Sequence, residues 1–523
     1  METSILPGGP SVLIEYEYDG AGNVTAVRDS FGGVTTYAYD GAGRLVSIRQ
    51  SGSSVDEKRV DAVYSATSVL TEIRRFADLA GSSPVASTAL TFDCESCLLG
   101  LTDITHRRAA DGSVIEQIEL ERNPAGLLER MADAEGEHSY VHDGQWRMIA
   151  ADHPAGGDQP DEAYTYDGTG NRTSSHLGGI HVYGYSSGAG GNDIRGNDRF
   201  EYETDDRGNV ARKRNRTTGA STEYLYDHRS RLTEVIDFSP AGAELRRSTY
   251  AYDTSDRRIR AVENGQVSYF VYDGLNPILV LNGAGSIVLR RLYGRGLDSI
   301  LAFEVEGKTR WLLSDHLGSV RDVLGDDGQR LARHVYDSFG NLLGGTDVTA
   351  SGGLGFTGLE HSVVTGLIPM RARAYDPELG RFLQMDPQEP HQYEYAENSP
   401  MTYKDASGLS IRPLGRTGIR LAADGPELFM QRLKNGFYSE REVLKRLNPP
   451  TKYSGYGPKQ FPRSARPSPP RGGPGEAGMY ALIVTGIGLG IIGAAEQVGT
   501  ALLFTYDSIL VYQEVYERIS GGR

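Results

Sequence analysis

Few residues of this chain have the types and spacing to do chemistry. Three aspartates stand out between positions 355 and 409: Asp376 and Asp386, each followed by proline, and Asp405, all set among tyrosines. Proline fixes its own φ and pushes the residue before it out of the helical region, so each Asp-Pro step bends the chain. Taken alone, aspartates in such places are turn formers. Two carboxylates held close would do more, because both cannot stay ionised and one is left as a proton donor. The two cysteines, Cys94 and Cys97 in CESC, have no second pair to complete a four-ligand zinc site. Their flanks TALTFD and LLGLTD read as strands, not as the helix N-terminus that lowers a thiol pKa, so a tight local disulfide or two idle thiols is expected, with no metal. Asp315 and His316 are adjacent and would face opposite sides of a strand, which makes His316 a structural histidine. Gly488, Gly490 and Gly493 imitate a dinucleotide fingerprint, but no amphipathic helix, second strand or ribose-binding acid follows, and no cofactor is expected.

The elements that must position these residues are strands. The chain has 523 residues with 66 Gly and 30 Tyr and no long heptad pattern, which favours many short strands joined by glycine turns. Self-similarity is the strongest signal. YEYDGAGNVTAV at Tyr16, YAYDGAGRLVSI at Tyr37, YTYDGTGNRTSS at Tyr164, YLYDHRSRLTEV at Tyr224 and YAYDTSDRRIRA at Tyr250 are copies of one unit, with weaker copies at Tyr140, Tyr202, Tyr269 and His334. Asp19 and Asp40 are 21 residues apart, Asp205 and Asp227 are 22, and Asp253 and Asp273 are 20, the period of a strand-turn-strand unit. Tyrosines at i and i+2 share a strand face and could form an aromatic ladder with neighbouring hairpins. The turn follows at Asp-Gly-x-Gly, with Gly43 and Asn23 or Arg44 at positions that tolerate unusual dihedrals. A lone hairpin is not stable, so the copies must stack into an elongated or spiralling sheet.

Residues 311–409 carry a further pattern: WLLSDHLGSVRDVLGDDGQRLARHVYDSFGN from Trp311, then GFTGLEHSVVTGLIPMRARAYDPELGRFLQMDP from Gly355, closing at KDASGLS. The order DHLGSVR, YDxFGN, FTG, TGL, ARxYDPxxGRF and a DPxGL-like closure resembles the core region of the Rhs and YD-repeat family. That resemblance implies a mainly β fold, in which antiparallel YD-repeat hairpins (1–310) wind into a large β-shell, plugged by the core (311–409) and enclosing a variable C-terminal region (410–523), commonly a toxin. With about 310 residues before the core, the shell is expected to be partial. The resemblance also implies self-cleavage by an aspartyl-protease-like pair. The matching positions are Asp386 in GRFLQMDP and Asp405 in KDASGL, with Arg381 placed to orient or polarise, and the scissile bond joins Leu409 to Ser410. Two departures stand against it. Asp386-Pro387 is followed by Gln388-Glu389 where the family favours DPxG, and Asp405 is followed by Ala406 where it favours proline.

Beyond Leu409 the chain changes character. The whole carries a formal charge of -15, but residues 410–523 hold fifteen Lys and Arg against nine Asp and Glu, leaving -21 for residues 1–409. The basic residues lie among prolines and glycines without an aromatic-basic module, so a solvated linker is favoured over nucleic-acid binding. Capping patterns at Asp424 and Ser439 predict two short helices, and residues 448–475 are too rich in Pro and Gly for either helix or sheet. The apolar stretch 479–504, with Gly486, Gly490 and Ala494 four apart, reads either as a membrane segment or as a buried helical hairpin. The N-terminus lacks the basic region and apolar run of a signal peptide. Two functions follow: a self-processing shell that carries its tail as an effector, with an immunity protein or a second shell-forming chain as partners, or an uncleaved secreted or cell-surface protein that binds glycans and is held by the apolar segment.

Overall fold

The structure, a computed structural model, describes residues 2–413 apart from 6–8, 94–99, 176–180, 186–191, 346–347, 387–392, 410–411 and a few single positions; residues 414–523 lie outside the description. The predicted thiol pair, tail helices, Pro/Gly-rich linker and apolar stretch therefore fall outside the described residues.

Each repeat is a hairpin closed by its aspartate. After strand Gly33–Tyr39, Asp40 Oδ1 accepts the N–H groups of Ala42 and Arg44, both at 2.9 Å, while Oδ2 pairs with the Arg44 guanidinium at 2.6 Å. The same bonds to i+2 and i+4 recur at Asp19, Asp143, Asp167, Asp205, Asp227, Asp253, Asp315 and Asp337. The residue at i+3 turns left-handed, with φ 74° at Gly43, and just beyond the turn the register slips by one residue as a bulge, where Tyr39 faces Leu45 and Ala38 faces Ser47. Trp146, Ser230 and Asp256 hold the same position at φ 69°, 59° and 62°. Asn23 and Arg44 do not take the unusual backbone the sequence suggested for them; their side chains clamp the aspartate instead.

Successive hairpins are fastened by contacts between tyrosine and arginine, while Tyr202, Tyr224 and Tyr250 of neighbouring copies share one buried cluster. Tyr252 donates its hydroxyl to the Leu232 carbonyl of the preceding hairpin at 2.7 Å, and its ring lies 5.0 Å from the Arg231 guanidinium carbon, whose Nη1 donates to the Asp253 carbonyl at 3.1 Å. Tyr64 does the same with Leu45 and Arg44, Tyr166 with Met148 and Arg147, and Tyr272 with Arg258 and Arg257. The first tyrosine of the motif points inward: Tyr140, Tyr164, Tyr202, Tyr224 and Tyr250 are all buried.

These hairpins form one meandering strip in two sheets, one of 16 strands from Glu2–Ile5 to His181–Val182 and one of 15 from Gly184–Tyr185 to Arg330–Arg333. Every strand pairs with its chain neighbour, and neither sheet closes on itself among the described strands. The strip winds back alongside itself. Asp29 meets Arg290 across 261 residues, Arg75 meets Leu312 across 237 and Glu116 meets Arg333 across 217, and Glu162 then meets Ser338, just beyond the strip, across 176. The falling offset means that the later run follows this seam in fewer residues than the earlier run.

After Arg333 the chain leaves the strip and fills its inside with turns, three short 3-10 segments and a small sheet of strands Ile368–Met370, Arg373–Asp376 and Arg381–Phe382. Phe356, Ile368, Met370, Tyr375, Phe382 and Tyr395 pack on the inner face of the first sheet, and Leu367, Ala374, Leu379 and Leu383 on that of the second. Each such large side chain contributes roughly 1.5–3 kcal/mol by leaving water. The small sheet is thereby a fixed platform for the residues that follow it.

Candidate functional site

Arg373 gathers the site. It opens the strand Arg373–Asp376, which is paired through Tyr375 and Asp376 with the strand Arg381–Phe382. Beyond that strand Gln384 accepts the Ala374 N–H at 2.8 Å, which folds residue 386 back onto the platform. Arg373 Nη2 then lies 2.9 Å from Asp386 Oδ2 and 3.3 Å from Asp405 Oδ2, so the two carboxylate oxygens are at most about 6.2 Å apart. All three residues are buried, at 5%, 4% and 3% exposure. The guanidinium carbon is 3.7 Å from the centre of the Phe382 ring, and Nε donates to the Gly408 carbonyl.

Asp405 also holds the end of the core. Its Oδ1 accepts three consecutive N–H groups, from Ser407 at 3.2 Å, Gly408 at 2.9 Å and Leu409 at 3.2 Å, together with the Ser407 hydroxyl at 3.1 Å. The bend needs glycine: Gly408 has φ 71°, and a Cβ there would meet the Met370 carbonyl oxygen at 2.3 Å. Arg371 adds a second tie, pairing with Asp298 at 2.5 Å and donating to the Ala406 carbonyl. Leu409 thus reaches a cavity of about 280 Å³ whose lining includes Tyr250, Tyr272, Tyr293, Arg291 and Arg371. Ser410 lies outside the described residues.

Of the residues singled out by sequence, Asp386 and Asp405 come together. Arg381 is placed with its Nη2 2.8 Å from the Asn192 carbonyl and its guanidinium carbon 4.3 Å from the Tyr393 ring centre. The arginine that touches both carboxylates is Arg373, which the spacing of ARAYDPELGRF does not distinguish from Arg381. Asp376 is a turn former, accepting the N–H groups of Glu378 and Leu379 at 3.0 and 3.3 Å; burial raises its pKa against the pull of Lys213 at 3.8 Å. Asp315 accepts the N–H groups of Leu317 and Ser319, while His316 places Nε2 3.0 Å from the Met401 carbonyl and is held neutral by burial. The two do not act as one acid–base unit. Tyr395, its ring tilted against that of Tyr375 at 4.6 Å, has its hydroxyl pKa raised well above the ordinary value by burial and by the charge of Asp405.

Among the described residues no group of three or more His, Cys, Asp or Glu is arranged to hold a metal ion, and no helix is long and apolar enough to cross a membrane.

The Teneurin YD-shell family profile matches residues 110–401, and the RHS Repeat profile matches residues 18–55. The tRNA3(Ser)-specific nuclease WapA of Bacillus spizizenii is 27% identical over 257 residues, 47% of this chain and 11% of its own length. Salivary gland surface protein 1 of Aedes aegypti is 30% identical over 223 residues, 39% of this chain and 6% of its own length. The crystal structure of TcdB2-TccC3 without its hypervariable C-terminal region superposes with a TM-score of 0.62 at 18% identity, covering 76% of this chain and 21% of that one, which establishes a shared fold. This chain therefore spans about a tenth or less of these two sequence relatives and about a fifth of the solved structure.

Proposed function

Because this chain belongs to the Teneurin YD-shell family, which matches more than half of it, we propose that residues 1–310 and the core 311–409 form a partial shell that encloses or presents the region 410–523 as a toxin or effector, and that self-cleavage between Leu409 and Ser410 releases it. The observation that carries this reading is the placement of Asp386 and Asp405 on one guanidinium, with Asp405 holding the three N–H groups that lead to the expected scissile bond. In the reaction one aspartate takes a proton from water as the water oxygen bonds to the Leu409 carbonyl carbon. The other, protonated, delivers its proton to the Ser410 nitrogen as the C–N bond breaks. Arg373 balances the charge that develops on the carbonyl oxygen.

Intact mass and N-terminal sequencing test this. The expected product begins SIRPLGRTG, and both Asp386→Asn and Asp405→Asn should fold and stay whole. An uncut native chain, or a cut that persists in both variants, refutes it. The WapA likeness supports a toxin cargo; an immunity protein and a second chain that completes the open strip are the partners this reading calls for, with the protein secreted or at the cell surface. The likeness to a salivary gland surface protein favours a second reading, an uncleaved surface protein that binds glycans or partner proteins. An uncut chain that partitions into detergent through residues 479–504 would support it.

A further inference from the structure

A run of hydrogen bonds separate from the candidate cleavage site passes along neighbouring strands of the first sheet and ends on the core segment. His138, in strand Gly136–His142, and His153, just past strand Met148–Asp152, have fully buried side chains. Their Nδ1 atoms face each other at 2.8 Å. On the outer sides, His138 Nε2 is 3.1 Å from Asp133 Oδ1, and His153 Nε2 is 3.0 Å from Glu162 Oε1. Glu162 Oε1 also accepts the N–H and hydroxyl of Ser338 at 3.1 and 3.0 Å, and its Oε2 accepts the Tyr164 hydroxyl. Asp133 Oδ2 lies 3.4 Å from Arg321 Nη2. Strands of the first sheet are thus tied to the second sheet at Arg321 and to the core at Ser338.

Counting protons shows what this arrangement requires. A carboxylate only accepts, so each outer Nε carries a hydrogen. The contact between the two Nδ1 atoms needs one hydrogen: none leaves two lone pairs facing, and two set N–H against N–H. The pair is therefore one imidazole and one imidazolium, set between the Asp133 and Glu162 carboxylates, while Arg321 also feels the charges of Asp315 and Glu116. Other groups face it too. Glu135 pairs with Arg333 at 3.3 Å beside Asp133, Asp161 accepts the His153 N–H at 2.9 Å, the Tyr140 ring stands 6.3 Å from His153, and burial with the charge of Glu162 pushes the Asp337 carboxyl up to about 7.

We infer that the histidine pair is a proton-operated latch, which fastens the wall to the core while it shares one proton and lets go when acidification forces a second proton onto it. In an opened wall the two imidazoles exchange protons with water separately, both charged in acid and both neutral in base, whereas the closed latch holds one proton between them. Closure therefore weakens on both sides of neutrality, by up to tenfold in the opening equilibrium per pH unit. Asp337 works the other way, because below about pH 7 it binds a proton in the closed form that it releases on opening. The latch is for that reason read as a difference between the native chain and a variant that keeps Asp337.

The experiment is hydrogen exchange at the Ser338 amide in the full chain, corrected for intrinsic rate, from about pH 5 to about pH 8, with His153→Gln as the comparison. The native-minus-variant protection should peak near neutrality and fall by up to tenfold per unit into acid. In parallel, nitrogen-15 histidine spectra of the native chain should show a coupling across the two Nδ1 atoms near neutral pH that disappears in acid. Protection with the same pH dependence in both proteins, or no such coupling at any pH, overturns the latch. Should the variant fail to fold, the coupling alone decides.

Discussion

Replacing Arg373 with methionine removes a guanidinium that contacts Asp386, Asp405 and the Gly408 carbonyl, in a setting where the arginine is 5% exposed and the aspartates 4% and 3%. Methionine keeps much of the volume and the contact with Phe382, so the loss is mostly electrostatic. Removing one partner of a buried ion pair costs about 3–5 kcal/mol, because the charge left behind stays out of water. Two carboxylates are left behind here, but each can escape the cost by taking up a proton. The deficit should therefore be at least about 3 kcal/mol near neutral pH and shrink as the pH falls. The sign follows from linkage: a folded variant that neutralises its stranded carboxylates by binding protons takes up more of them than the unfolded chain, so relative stability grows with acid. Urea unfolding followed by the fluorescence of buried Trp311 reads both quantities. Adding Asp386→Asn and Asp405→Asn to Arg373→Met should restore most of the loss. A deficit below about 1 kcal/mol, or one that does not change with pH, would refute the view that Arg373 neutralises the pair.

Other outcomes follow from single contacts. Tyr252→Phe deletes the 2.7 Å bond to the Leu232 carbonyl and should cost about 1 kcal/mol in thermal unfolding, with Tyr64→Phe and Tyr166→Phe costing the same because the contact repeats. Glu394, pushed up to about 8 by burial, holds a proton in the folded chain that the unfolded chain loses above about 4.5; stability should fall as pH rises through that window, and Glu394→Gln should flatten the slope. Gly408→Ala must displace the Met370 carbonyl from a 2.3 Å approach, so it should loosen the Leu409 N–H bond to Asp405 and abolish a cut after Leu409 while the melting of the strip stays close to native.

What the sequence made legible was local. The Asp40 turn, its Gly43 and the returning strand Leu45–Gly52 lie within a dozen residues of each other, where turn chemistry and a period of two decide the outcome. The contact that joins one hairpin to the next is hidden in the repeat because it runs from the i+4 arginine of one turn to the tyrosine of the following copy, and arginine spacing carries no signature in a chain with so many. Still less visible was the winding, in which Asp29 meets Arg290 and Glu162 meets Ser338: nothing in either neighbourhood names a partner about 200 residues away. The same holds for His138 and His153, each an ordinary histidine until the fold sets them face to face.

The carboxylate pair combines both cases. Asp386 and Asp405 were chosen by likeness to a family pattern and do converge, but on an arginine that no pattern chose. That arginine changes what the pair can do at rest. Two carboxylates held close by themselves cannot both be ionised, whereas these share the Arg373 Nη2, whose charge lets both stay ionised. For one of them to serve as the proton donor the hold of Arg373 on it must weaken, and the Nε bond to the Gly408 carbonyl couples any such movement to the residue before Leu409. Cleavage and release of the bend at residues 407–409 would then be one event rather than two. Under that coupling Arg373→Lys, which keeps a charge but has no fork to bridge two oxygens and a carbonyl, should retain more stability than Arg373→Met yet cleave no better. A lysine variant that is cut at the native rate would separate the two events and leave Arg373 a purely structural counter-charge.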